Sequence, residues 1–463
     1  MGRVVLVGLA VAGTWACGDS AGPGDHDSFF NDDEWAQIST LSPLPKVEPD
    51  PTNRVADDPA AALLGQRLYF DRRMQVTPIQ IGRTTVDRTV MPPLTPNPTA
   101  VGEAGDVGTV ACTTCHEPEH WFSDAHSVPR DLSLAIRYSF RNDPSLVNAA
   151  FYDDFGWAGS GDSLWTFVTA TPEGPVGGTR NGLAHLLYDH YRADYEAIFG
   201  PMPGALADAG RFPAQARPRL GNETPSPVSQ PWISAWNGMS AADQLTVTTI
   251  YVNASKCIAA YLRLLVSRNA PFDRYVAGDT TAMSVAAKRG LRAFIGKAGC
   301  IACHSGPFFT DHEYHATGVA QTGPNVPAND TGRLSVVQAY SNGIPPFSAA
   351  GAFSDDPAAG MAKLVEDGLV NPTPTAADRG QFRTKALRQI AETAPYMHDG
   401  VFPDLESVVE FYDQGGGTAA TIKDPLMQRL GLTALDKSDL VEFLKTLTGD
   451  PIPAALTADL TRP

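Results

Sequence analysis

Cations, cysteines, alternating strand patterns and long apolar runs are all in short supply in this chain of 463 residues. The 35 Lys and Arg face 51 Asp and Glu, a net charge of −16, which argues against a nucleic-acid surface and favours a basic protein wherever charge steers a partner. Six cysteines are present, Cys17, Cys112, Cys115, Cys257, Cys300 and Cys303, and four of them belong to two CxxCH motifs, which leaves no disulfide framework. Beyond the N-terminus no apolar run is long enough to cross a bilayer. What is plentiful is apolar content, at 43%. That excludes wholesale disorder, and the length suits two or three domains.

The N-terminus reads as a targeting segment. Arg3 precedes an apolar run from Val4 to Ala12 that is too short for a mature spanning helix, followed by Gly13-Thr14-Trp15-Ala16-Cys17. A small residue before a cysteine resembles a bacterial lipobox, so residues 1–17 are expected to be a lipoprotein signal with a lipid anchor on Cys17; an ordinary signal peptide cut nearby is the alternative. Either way the chain leaves the cytoplasm. Residues 18–57, acidic and Gly-rich and then Pro-rich, are expected to be a tether and linker.

Helical periodicity dominates the rest. Ala60 to Phe70 reads as a short amphipathic helix, and Ile250 to Leu265 as a helix that buries Cys257. Ala287, Leu291, Phe294 and Ile295 form one helical face ahead of the second CxxCH. Thr433-Ala-Leu-Asp436 is a capping box opening a last helix. Arg72 to Val110 is Pro-, Thr- and Gly-rich without a period, a loop of a length that signals function or insertion. The expected class is mainly α, with two c-type cytochrome-like haem domains and long irregular loops: residues 58–275 around the first motif and 276–455 around the second.

Cys112-Thr-Thr-Cys115-His116 and Cys300-Ile-Ala-Cys303-His304 read as attachment sites for two covalent c-type haems. Two thiols at this spacing reach the two vinyl groups of one porphyrin, and the adjacent His becomes the proximal iron ligand. Paired CxxC motifs can also bind zinc, but structural zinc pairs lie tens of residues apart, and here the spacing is 188. The motifs lead respectively into Phe122-Ser123-Asp124 and Phe309-Thr310-Asp311, an internal repeat that suggests two haem modules.

Longer stretches carry a family likeness. They include Leu64-Gly-Gln-Arg-Leu-Tyr-Phe-Asp71, Arg141-Asn-Asp-Pro-Ser-Leu-Val-Asn148, Thr393-Ala-Pro-Tyr-Met-His-Asp-Gly400 and Leu405-Glu-Ser-Val-Val-Glu-Phe-Tyr412. From about residue 60 to 450 the chain resembles the bacterial di-haem cytochrome c peroxidases and their MauG-like relatives. The resemblance implies that the N-terminal haem reacts with peroxide and the C-terminal haem handles electrons. It implies His116 and His304 as proximal ligands, and Trp157 as a relay between the haems, where a packing aromatic is the competing reading. It further implies Asn142, Thr393 and Pro395 as an inter-haem Ca²⁺ site, through one side-chain oxygen and two carbonyls. Arg388 and His398 would line the second haem or its propionates. Tyr412, fourteen residues after His398, falls where peroxidases of the family carry a ligating Met and MauG-like members a Tyr. It is the expected distal ligand, with Met397 as rival and plain packing of Phe411 and Tyr412 as the alternative.

Departures from the family pattern bear on function. The family's distal Gln and Glu positions fall near Phe167 and Gly177, so peroxide activation is expected to be slower, or Glu173 to substitute as the acid that moves protons during O–O cleavage. Leu132 falls at the spacing of the family's distal His; His120 and His126 are nearby loop residues. The leading expectation is a periplasmic oxidoreductase of a Gram-negative bacterium that reduces hydrogen peroxide, or a related oxidant. Its donor would be a small cytochrome c or a partner protein, and the resemblance allows a homodimer. A di-haem electron carrier and an oxygen-activating di-haem oxygenase are the alternatives.

Overall fold

The computed structural model describes residues 27–79, 105–124, 132–221, 223–323, 325–420 and 422–462. The signal segment, His126 and most of the Pro-rich loop before the first CxxCH lie outside the described residues. Among the described residues there are fourteen α-helices and one two-stranded sheet, Tyr314–His315 against Phe382–Arg383, so the fold is mainly α with long irregular connections.

Two hydrophobic cores organise the chain. The first gathers buried residues from Val55 to Leu265; the second gathers residues from Phe272 to Leu447. Each is built on a crossed helix pair held close by a glycine. Helix Pro59–Phe70 starts at Asp58, whose carboxylate accepts from the amide of Ala60 at 2.7 Å, with Pro59 in the first turn. It lies against the long helix Ala241–Leu262 so tightly that a Cβ on Gly65 would stand 1.9 Å from the Cys257 carbonyl oxygen. In the second core helix Val285–Ile295 meets helix Ala434–Lys445, and a Cβ on Gly290 would stand 1.9 Å from the Asp439 carbonyl oxygen. Cys257 is fully buried, and the Thr433–Asp436 capping box forms, as the sequence patterns predict.

The tether and linker expectation for residues 18–57 is overturned from Asp27 onward. Asn31 and Glu34 form a capping box at helix Asp32–Ser39, and Phe30, Ile38 and Leu41 are buried in the second core. Pro and polar composition hid these three apolar anchors. The domain limits shift accordingly, since Phe272 and Tyr275 also belong to the second core. The C-terminal tail crosses the other way. Ile452 and Leu456 pack on the first core, and Gln66 Nε2 donates to the carbonyls of Ala455 and Ala458 at 2.8 and 3.0 Å. No helix among the described residues is long and apolar enough to cross a membrane.

Gly65→Ala tests the helix contact. It should lower stability by about 1–3 kcal/mol through overpacking, read as a lower urea midpoint with haem content retained; an unchanged midpoint would show that the helices part without cost.

Candidate functional site

The two CxxCH segments adopt one local geometry. Each is a short 3₁₀ turn, Cys112–Thr114 and Cys300–Ala302. The amides of Cys115 and Cys303 donate to the carbonyls of Cys112 and Cys300 at 3.3 Å, and the His116 and His304 amides donate to the same carbonyls at 3.0 and 2.9 Å. Both cysteines of each motif therefore sit on one face of a turn with the histidine beside them. His116 Nδ1 lies 3.2 Å from the Phe122 carbonyl, and His304 Nδ1 lies 3.0 Å from that of Phe309. A carbonyl can only accept, so Nδ1 carries the proton and Nε2 keeps its lone pair for a metal. Phe122 and Phe309 are fully buried with left-handed φ of 55° and 56°, a conformation bulky residues avoid, which here aims the two carbonyls. Burial pushes His116 down to about 4 and also lowers His304, so both imidazoles are neutral, the ligand form.

These features fit covalent haem and not paired zinc. The four motif cysteines form no disulfide, and among the described residues the two pairs do not converge on one metal-binding group. The group that does form, Cys303, Asp311 and His315, has its histidine clamped between carboxylates. His315 Nδ1 is 2.7 Å from Asp424, and Nε2 is 3.0 Å from Asp311. The carboxylates of Asp311 first and then Asp424 raise this imidazole above its ordinary range, which makes it a cation and no ligand.

A large cavity opens on Cys300, Cys303 and His304 and runs toward the first module. Tyr412, Met397, His398, Arg388, Thr393, Pro395, Asn142 and Trp157 all reach its wall, so the structure brings together most of the residues singled out for the second haem and the inter-haem region. Tyr412 projects from helix Leu405–Asp413, and burial raises its phenol above the ordinary range. Its hydroxyl has no hydrogen bond among the described residues. The Arg388 guanidinium is held by Asp273 at 2.6 and 2.9 Å, so it braces the wall instead of offering free donors. His398 stacks on Phe382 with ring centres 3.7 Å apart, and burial drives it down to about 3. Met427 also reaches this cavity. A lone Met in a loop gives no sequence signal, and the sequence reading passed over it.

The seam between modules runs through Asn142 and Trp157. Trp157 Nε1 donates to the Asn142 carbonyl at 2.7 Å, and the Arg383 amide donates to the Trp157 carbonyl at 2.8 Å. The Asn142 amide donates to the His398 carbonyl at 2.8 Å, and its Nδ2 donates to the Pro395 carbonyl at 2.9 Å. Asn142 Oδ1 is buried without a partner, as are both oxygens of Asp399, whose carboxyl burial pushes up to about 7. An orphaned amide oxygen beside a proline carbonyl is a donor set that suits Ca²⁺.

Beside Cys115 lies the Asp143 carboxyl, which burial and then Asp124 push up to about 7, whereas the positions matching the family's distal Gln and Glu are apolar. Phe167 packs toward Phe155 with ring centres 6.5 Å apart, and the Gly177 carbonyl is taken by the amides of Val76 and Thr77 at 3.2 and 2.8 Å. Glu173 is buried, with one oxygen 2.8 Å from Arg180 Nη2 and Oε1 unpartnered. Burial raises its pKa in spite of Arg180, whose guanidinium lies over the rings of Trp236, Tyr251 and Phe347 at 5.1–5.4 Å. Leu132 is buried, and no hydrogen bond ties His120 to His116.

Comparison with known proteins adds the family context. The family described as di-haem cytochrome c peroxidase matches residues 104–281. The chain is 30% identical over 452 residues to the cytochrome-c peroxidase IdrP1 of Denitromonas iodatirespirans, covering 97% of this chain and 94% of that protein. It is 29% identical over 372 residues to the methylamine utilization protein MauG of Methylorubrum extorquens, covering 79% and 81%. The crystal structure of the diheme peroxidase BthA from Burkholderia thailandensis shares the fold, with a TM-score of 0.54 at 20% identity over 90% of this chain and 94% of that one.

His315 offers a pH test. The two carboxylates raise its folded value above the ordinary 6.5, so its stabilisation is fully present below about pH 6.5 and is lost as pH rises through the raised folded value. Between pH 7 and 10 wild-type urea stability should therefore fall more steeply than that of His315→Gln. Parallel slopes would mean that the clamp stores no charge-dependent stability.

Proposed function

Because the chain belongs to the di-haem cytochrome c peroxidase family, and so is a peroxidase-type haem oxidoreductase, we propose that it reduces hydrogen peroxide at the haem of Cys112 and Cys115 with electrons passed through the haem of Cys300 and Cys303. The observation that carries this reading is the duplicated clamp. Two neutral histidines, each locked by a left-handed Phe carbonyl, flank a seam in which Trp157 is hydrogen-bonded at both its ring and its backbone. When bound, the haems supply the redox-active irons, and the protein sets ligation, polarity and path.

Each residue then has a task. His116 and His304 present Nε2 to iron. Glu173 holds a transferable proton at Oε1, the oxygen left free by Arg180, and its raised pKa suits that task. Trp157 is the aromatic bridge of the seam. Tyr412 would be the distal ligand of the C-terminal haem, supported by its place in the cavity of His304 and by a hydroxyl without a hydrogen bond among the described residues. Asn142 Oδ1 with the Thr393 and Pro395 carbonyls binds Ca²⁺ between the haems, with waters completing the shell. The donor is a small cytochrome c or a partner protein with a basic face that complements the net charge of −16. We place the protein in the periplasm, anchored by a lipid on Cys17, with a homodimer as a further state. A di-haem electron carrier is the second reading, favoured by Phe167 and Gly177 at the distal positions and by the Glu173–Arg180 pair.

Stopped-flow mixing with H₂O₂ and a reduced cytochrome c separates the two readings. Turnover is expected, and Glu173→Gln should slow the peroxide step by roughly 10²-fold or more, the lower range for a lost general acid. A variant as fast as wild type removes Glu173 from the mechanism, and no turnover at all leaves the carrier. Tyr412→Phe should change the ferric spectrum of one haem and raise its potential, because a phenolate stabilises ferric iron, while Met397→Leu should keep ligation intact. A far-red Fe–Met band in the wild type, lost on replacing Met397 or Met427, would reverse the assignment. Chelation of calcium, like Asn142→Ala, should alter the haem spectra or slow inter-haem transfer; unchanged spectra and kinetics in both would exclude the ion.

A further inference from the structure

Lys385 reaches the inter-module cavity without a task in the scheme above. Its ammonium lies 5.0 Å from the ring centre of Trp157 and 5.0 Å from that of Tyr152, and its side chain shares the cavity wall with Cys300, Cys303 and His304. Among the described residues it has neither a carboxylate partner nor a hydrogen-bond acceptor. Two residues earlier Arg383 is 3% exposed, stacks 3.8 Å over Tyr152, and leaves Nε and Nη1 without partners. Elsewhere on or behind this wall the cations are already satisfied: Arg388 by Asp273, Arg141 by Asp330 at 2.7 Å, and His315 by its two carboxylates. A half-buried ammonium that lines a cavity beside a second cation, with no carboxylate of its own, is costly unless an anion joins it. A haem tethered through its two vinyl groups brings an anion, because the propionate edge stays free and carries two carboxylates.

We propose that Lys385 is the counter-ion of a propionate of the haem held by Cys300, Cys303 and His304, and that this ion pair is a positioning element beside Trp157. The inference rests on the di-haem reading and deepens it. With the propionate in place, the charge next to the indole is neutralised. Without it, an ammonium 5.0 Å from the ring opposes removal of an electron from Trp157. Lys385 thereby links the seating of the haem to the electrical environment of the bridge.

The test uses the haem-loaded protein with Lys385→Met and Lys385→Arg. Resonance Raman propionate-bending modes and spectroelectrochemical titration of each haem are the readouts. In Lys385→Met the propionate band of the C-terminal haem should shift and its potential should fall, since a lost cation disfavours the ferrous state. Haem content should hold, the potential of the other haem should move less because the Lys385 charge also reaches His116, and Lys385→Arg should restore both signals. If Lys385→Met loads haem poorly, Lys385→Gln carries the same measurements. An unchanged band and potential for the C-terminal haem, or a shift confined to the N-terminal haem, would overturn the proposal. Trp157→Phe is measured separately. Inter-haem transfer unaffected by Trp157→Phe, alongside a shifted potential in Lys385→Met, removes the bridge role and leaves the ion pair standing.

Discussion

The hydrogen-bond seam through Asn142 and Trp157 is the constraint on which the arrangement depends. Electron transfer between two redox centres falls steeply with separation, so two modules that each hold a haem are useful together only at one fixed distance. Asn142 supplies that fixity. Its amide, side chain and carbonyl are bound to His398, Pro395 and Trp157 respectively, with the first two on the opposite module. These bonds are made by backbone, by the short buried side chain of Asn142 and by the rigid indole of Trp157, so little rotamer freedom remains to blur the spacing. The Arg383 amide on the Trp157 carbonyl closes the seam from the other side.

The modules themselves are variations on one design. Gly65 and Gly290 seat equivalent helix pairs, and Phe122 and Phe309 lock equivalent histidines. Asn148 and Gln389, both left-handed, donate their amides to Leu265 and Leu447 just beyond the final helix of each module. The two side chains then meet, Asn148 Nδ2 lying 3.2 Å from Gln389 Oε1. The duplication is therefore wider than the CxxCH copies reveal. What differs is the filling: an aromatic, apolar surround with a carboxylate–guanidinium pair in the first module, and a phenol, two methionines and unpaired cations in the second.

Some of this was legible because its signals are local. CxxCH is contiguous, a capping box spans four residues, and the face around Cys257 repeats along one helix, so the fold class, the haem attachments and the main helices could be read directly. Tyr412 and Asn142 needed the family pattern, and the cavity gathers them as that pattern implies. Residues 27–57 were misread for a physical reason. A segment can be Pro-rich and polar on average and still be pinned by three side chains whose sites lie more than two hundred residues away. Lys385 and Arg383 were missed for a similar reason, because an isolated cation in a sequence looks like surface until its surroundings are known.

The exchanged ends have a consequence for how the chain is made. Phe30, Ile38 and Leu41 emerge before residues 272–447 and have no site until those exist. Ile452 and Leu456, made long after Leu265, close the module whose core is otherwise complete by that residue. Neither half can be finished in the order of synthesis. Completion thus needs residues from both sides of the seam, and loss of Ile452 and Leu456 leaves a flaw in the half that was made first.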